Sequence, residues 1–201
     1  LMFPFLRAAA RAGVTRVVLL SLLGAQTMPC IPHRKLEKEI DRLGFERSFM
    51  RAGFFMQNLN TVFRDFIREE RELPVPAGNG KTSFVDARDL GAAAAELLTR
   101  GELPGEPELT GTEAISYEEV ARRMSALLGT EIRYTSPSFK AFKKRAAQRG
   151  WEPAYAKIVS RLFITVRLGL AAKISGELPE LLGRPPGSLE SYIEDYRDAW
   201  S

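Results

Sequence analysis

The apolar positions change period as the chain is read from its start. Residues 3–12 combine Phe3, Phe5 and Leu6 with alanines and arginines, which favour helix, and Gly13 supplies a stop. Val14 to Leu20 is β-branched and aliphatic with no polar alternation, the pattern of a strand buried on both faces of a parallel sheet. A loop rich in helix breakers runs from Gly24 to Pro32. The next helix is expected from about His33 to Leu43, where Leu36, Ile40 and Leu43 form an i, i+4, i+7 stripe before Gly44. Phe45 to Met50 reads as a second strand. Helix, glycine, strand, loop, helix, glycine, strand is the order of a doubly wound α/β fold.

Further along, Phe55 to Glu70 predicts one helix with a charged, solvated end at Arg68-Glu69-Glu70-Arg71-Glu72. Residues 73–81 form a loop or hairpin, and Thr82 to Val85 a short strand. Asp86 and Asp89 suit the start of a helix, where a carboxylate meets free backbone N–H groups, and Ala92 to Ala95 lets that helix pack closely. Glu108 to Gly111 is another strand. Ser116-Tyr117-Glu118-Glu119 is a capping box for a helix that carries Val120, Met124, Leu127 and Leu128 to Gly129. A last strand covers 132–134. Helices at about 138–149, 153–170 and 188–199 follow, with Gly183-Arg184-Pro185-Pro186 separating the last two. The expected organisation is a sheet region over 1–110 and a smaller, mostly helical lid over 111–201, interleaved with the first.

Composition narrows the function classes. The 201 residues are 45% hydrophobic and 27% charged, ordinary for a globular protein. A formal charge of +4 permits an anionic ligand without arguing for nucleic acid, and the basic run Lys140 to Arg149 lacks the interleaved aromatics of a stacking groove. One cysteine, Cys30, excludes a disulfide framework, and one histidine, His33, makes a transition-metal site improbable, so no metal is expected. No apolar run is long enough to span a bilayer, and no signal peptide is evident; a cytoplasmic protein is the expectation.

Six segments in order resemble the NmrA-like group of atypical short-chain dehydrogenases/reductases. They are Gly13-Val14 through Ser21, His33-Arg34-Lys35-x-Glu37, Arg51-x-Gly53-Phe54-Phe55-Met56-x-Asn58, Phe84-Val85-Asp86-x-Arg88-Asp89, Leu109-Thr110-Gly111, and Leu182 to Pro186. Each is weak alone; their order over nearly the whole chain is specific. The resemblance implies a Rossmann-like, doubly wound parallel sheet that binds NAD(P), and either of two functions. One is an NAD(P)H-dependent oxidoreductase that passes hydride to a quinone-like or dye-like acceptor. The other is a non-catalytic, redox-sensing regulator that binds the dinucleotide and a protein partner. It also implies an upstream strand, glycine-rich turn and helix for the pyrophosphate. No G-x-x-G-x-x-G occurs in these residues. By the same resemblance, roughly 80–100 residues at ~30 per βαβ unit are expected upstream.

The resemblance also places candidate residues. Typical short-chain dehydrogenases use Tyr-x-x-x-Lys, in which the phenol donates a proton and the lysine lowers its pKa. Alignment of the helix puts Pro29 at the tyrosine position and His33 at the lysine position. This argues against alcohol–ketone chemistry and for an acceptor that needs little acid help. The candidate cofactor residues are Ser21, His33, Glu37, Gly53, Phe54 and Phe55. His33 is also the single catalytic candidate, with Glu37 one turn on to fix its tautomer. Gly53 lets backbone approach a ring closely, and Phe54 or Phe55 walls the nicotinamide or belongs to the core. Met56, Asn58, Phe139, Trp151 and Tyr155 are the candidate pocket for a small aromatic acceptor. NADP(H) is expected over NAD(H) by family habit, and a homo-oligomer is compatible with the sequence.

Overall fold

In the computed structural model, residues 2–201 are described. In chain order the elements are α1 (Met2–Arg11), β1 (Arg16–Leu22), α2 (Pro32–Leu43), β2 (Glu46–Ala52), β3 (Phe54–Phe55), α3 (Arg64–Glu70), β4 (Glu72–Pro74), β5 (Lys81–Thr82), β6 (Phe84–Val85), α4 (Ala87–Thr99), β7 (Glu108–Leu109), β8 (Ile115–Ser116), α5 (Tyr117–Leu128), β9 (Arg133–Thr135), α6 (Phe139–Gln148), α7 (Pro153–Arg167), α8 (Glu177–Leu182) and α9 (Leu189–Asp195). They form two compact units. The first holds the described residues up to 53, with 87–110 and 175–186; the second holds 54–86, 111–174 and 187–201.

The first unit is built on a parallel sheet in the order β1-β2-β7. The aliphatic run of β1 lies beside β2 in register, from Arg16 opposite Glu46 to Leu22 opposite Ala52. Parallel strands need a crossover, and α2 supplies it, entered by Pro32 in its first turn and ended by Gly44 in the left-handed region. The α2 stripe packs as expected: Ile40 is fully buried with Leu6, Phe45 and Phe49, against Val17, Leu19, Leu36 and Leu43. Arg16 closes the other end of the sheet by donating to the carbonyls of Arg100 and Gly101, just past α4.

The second unit has three two-stranded ladders: β3-β6 and β4-β9 parallel, β5-β8 antiparallel. Its core is aromatic, with Phe63, Phe66, Phe84, Tyr117, Phe142, Phe163 and Trp200 all buried. The C-terminal region is mostly helical, as expected, although α8 was not anticipated.

Several local expectations need correction. The helix foreseen over 55–70 is only α3. Phe54 and Phe55 instead pair with Phe84 and Val85, and Met56–Asn58 is a single 3-10 turn. Asn58, Asn60 and Thr61 favour turns over helix because their side chains compete for local backbone groups, and the Thr61 hydroxyl does so by donating to the Gln57 carbonyl. The strand foreseen at 82–85 is two strands. Buried Ser83 breaks it by sending its N–H to the Ala171 carbonyl and its hydroxyl to that of Lys173. The capping box is half formed. Ser116 Oγ accepts the Glu119 N–H, but the Glu119 carboxylate turns to Arg122 and Arg123. Finally, α7 stops at Arg167, and Gly169 takes a positive φ two residues on.

Candidate functional site

Ser21 and Arg51 are register partners near the carboxyl ends of β1 and β2, and Glu37 reaches them from α2. Glu37 has no solvent exposure. Its Oε1 accepts from Ser21 Oγ at 2.7 Å and Arg51 Nε at 3.2 Å. Its Oε2 accepts from Arg34 Nη1 at 2.8 Å and Arg51 Nη2 at 3.1 Å. Arg51, itself buried, reaches Glu106 with its remaining nitrogen at 2.6 Å. Burial by itself would raise the Glu37 pKa. The donors from Arg51, Ser21 and Arg34 outweigh that, so the carboxyl stays below its ordinary range and ionised. Arg51 loses solvation too, and the Glu37 carboxylate more than compensates by raising its pKa.

This geometry changes two sequence-derived roles. Glu37 was expected to fix the tautomer of His33, since residues four apart share a helix face. Both Glu37 oxygens are instead committed to Ser21, Arg34 and Arg51, because the side chain turns into the sheet. His33 is half-buried, and its ring makes no hydrogen bond or ion pair among the described residues. Ser21 is buried, with its hydroxyl proton directed at Glu37, which leaves it as an anchor of the cluster.

The remaining candidates are distributed between the units. Gly53, in the first unit, extends the ladder beyond β2 by donating its N–H to the Leu109 carbonyl. In the second unit Phe54 and Phe55 are half-buried, with the Phe54 ring 6.2 Å from that of Phe163. Met56 lies in the aromatic core. The Asn58 carbonyl accepts the Phe63 N–H, and its side chain is half-buried. Phe139 lies 4.8 Å under the Arg167 guanidinium. Trp151 and Tyr155 do come together, ring centroids 5.2 Å apart, and line a cavity of about 250 Å³ with Thr61, Val62, Asp65, Phe66 and Arg149. The candidate acceptor pocket is therefore Trp151 and Tyr155 rather than the full set of five.

Sequence reasoning missed Asp65 and Thr61 at this cavity and Glu106 beside Arg51. Arg51 itself stood in the motif but carried no assigned role.

A family model described as the NmrA-like family matches residues 5–158, most of the chain. The chain belongs to the NmrA-like family. Among its relatives, an NAD(P)H azoreductase of Xenophilus azovorans is 30% identical over 201 residues, covering 96% of this chain and 69% of that protein. An Escherichia coli NADPH-dependent quinone oxidoreductase, solved with NADPH, superposes with a TM-score of 0.86 at 24% identity, covering 96% of this chain and 69% of that one. A negative transcriptional regulator of the NmrA type, solved with NAD, gives a TM-score of 0.70 at 16% identity over 99% of this chain and 71% of that one. These superpositions give this NmrA-like chain a Rossmann-like fold, and β1-β2-β7 with its crossover helices is part of that sheet. No helix among the described residues is long and apolar enough to cross a membrane.

Among the described residues, the donor chemistry that a nicotinamide ribose would need is that of His33. His33, in the first turn of α2, offers an imidazole with no hydrogen bond or ion pair among the described residues, and α2 is the helix that follows β1 in the crossover. These residues contain no glycine-rich turn for the phosphates.

Proposed function

We propose that this protein is an NAD(P)H-dependent oxidoreductase that passes hydride to a quinone-like or dye-like acceptor. The carrying observation is the occupancy of the acid positions: proline stands at 29, and the Ser21 hydroxyl is already given to Glu37. Neither can protonate an alkoxide, so an acceptor that tolerates hydride without an acid partner suits the site. The resemblance to the azoreductase and the quinone oxidoreductase supports the same reading.

The cofactor, when bound, supplies the hydride. His33 would donate a hydrogen bond to a ribose hydroxyl, and the Glu37–Arg51 cluster would hold α2 at the fixed distance from the sheet that this contact requires. Gly53 would let a ring approach the backbone, and Phe54 or Phe55 would contribute an apolar wall that excludes water. Trp151 and Tyr155 form the aromatic wall for the acceptor. NADP(H) is proposed over NAD(H), in line with the NADPH-dependent relative.

The test is NADPH and NADH oxidation by the full-length protein with a panel of quinones and azo dyes. Turnover with a lower KM for NADPH is expected, and H33A should raise that KM by about tenfold, the loss of one hydrogen bond to a polar ligand group. Tight dinucleotide binding with no turnover on any acceptor would overturn the reading in favour of a redox-sensing regulator. The absent tyrosine also suits that second reading, which requires unequal affinity for the oxidised and reduced cofactor.

A further inference from the structure

We propose that the cavity lined by Trp151 and Tyr155 takes an aromatic cation, so that the preferred acceptor carries a positive charge on or beside one ring. The assignment of that ring to the acceptor rests on the redox reading above; the binding itself does not.

The cavity lies within the second unit, between α3 and the turn that joins α6 to α7. At about 250 Å³ it is just below the range of drug-sized pockets, roughly 300–1,000 Å³, and so suits a single substituted ring. Its wall is aromatic. Trp151 and Tyr155 meet at 49°, and the edge of Phe66 meets Trp151 with centroids 6.3 Å apart. Tyr155 is 45% exposed, so its ring is open to a ligand.

The charges around this wall decide the class of ligand. Among the described residues Arg149 is the one cation that lines the cavity, and it is already neutralised. Its guanidinium donates to Glu69 at 2.9 Å and to Glu70, and lies 4.6 Å over the Phe66 ring. Arg145 covers the same ring at 5.3 Å and pairs with Glu70 and Glu72. Arg145, Arg149 and, beside Glu72, Arg133 thus offset the three glutamates, so none of these arginines is left as an uncompensated charge for an anion. Asp65 is the carboxylate that lines the cavity itself, and it makes no ion pair among the described residues. An anionic ligand would have to compete with Glu69 and Glu70 for Arg149 while approaching Asp65. A neutral ring would desolvate Asp65 with nothing in return. A cation gains both the Asp65 carboxylate and the negative faces of the aromatic rings, tryptophan offering the strongest.

The test is a tryptophan-fluorescence titration of the full-length protein with phenyltrimethylammonium, which cannot be reduced and so reports binding alone. Trp200 is buried in the core, so quenching reports Trp151. Benzenesulfonate and benzyl alcohol are the anionic and neutral comparators. The cation should bind about tenfold more tightly than either, and D65N should remove most of that preference. D65K should invert it toward benzenesulfonate. Asp65 is exposed and outside any ion pair, so both variants are expected to fold, which their circular dichroism would verify. Equal or tighter binding of benzenesulfonate by the unchanged protein, or a cation affinity indifferent to D65N, would overturn the proposal. Turnover is scored separately: cation binding without NADPH oxidation on any acceptor counts against the redox reading and leaves the site standing.

Discussion

Of the several places where arginine and glutamate meet in this protein, two, one in each unit, differ most usefully in exposure. In the first unit the Glu37 and Arg51 side chains are 0% and 4% exposed, and hydrogen bonds occupy both oxygens of the acid. In the second, Arg145 and Arg149 bind Glu69, Glu70 and Glu72 with side-chain exposures from 16% to 60%. A buried carboxylate is tolerable only while its donors remain, because removing one partner strands the other charge away from water. An exposed pair is screened and can rehydrate, so it contributes little. The same residue chemistry thus locks α2 to the sheet in one unit and decorates a surface in the other.

The largest effect should come from breaking the buried cluster. E37A leaves Arg51 buried with Glu106 as its carboxylate partner, and should destabilise the protein by about 3–5 kcal/mol. The urea midpoint at unchanged m-value measures this. A loss below about 1 kcal/mol would mean that the buried cluster behaves like the exposed one. The same group sets an acid limb. The folded pKa of Glu37 is depressed below its ordinary 4.5, so its contribution is complete above that value and is lost as pH falls through the lower folded pKa. Midpoints followed from about pH 6 down to about pH 3 should fall in the unchanged protein and fall less steeply in E37Q, the remainder coming from Glu39, Glu72 and Glu119, whose pKa values are also held down by arginines.

The cluster also shows what the sequence could convey. The parallel pair β1-β2 was legible from its β-branched run, but the burial on both faces expected of that run is not met, since Leu20 is 46% exposed and Ser21 alone of β1 is buried; glycines 13, 44 and 129 marked helix ends that the structure retains. The spacing of His33 and Glu37 was equally visible, but not the direction of the Glu37 side chain. That direction is set by Ser21 and Arg51, 16 and 14 residues away. The cavity at Trp151 was half legible for the same reason. Trp151 and Tyr155 lie in one stretch of chain, whereas Phe66, Asp65 and Thr61 come from a stretch read as continuous helix. The break at Asn58–Thr61 and the split at Ser83 depend on hydrogen bonds that no local pattern announces.

An intermediate effect is expected at Ser21. S21A removes one donor to Glu37 while Arg34 and Arg51 stay, so it should cost about 1–2 kcal/mol by the urea midpoint. If Ser21 is an anchor only, kcat for NADPH oxidation should hold while stability falls. A collapse of kcat with stability unchanged would return the hydroxyl to the reaction.

The smallest effect belongs to the exposed cluster. Glu69 is 60% exposed and shares Arg149 with Glu70. E69Q should therefore shift the urea midpoint by less than about 0.5 kcal/mol, and added salt should erase even that. The substitution nevertheless removes one of the carboxylates that neutralise Arg149 at the cavity. It should weaken phenyltrimethylammonium binding by about twofold, a small long-range electrostatic change, with no loss of stability. A stability loss comparable to that of S21A would show that exposure does not separate the two clusters. An unchanged affinity would show that the cavity senses Asp65 alone and not the glutamates behind Arg149.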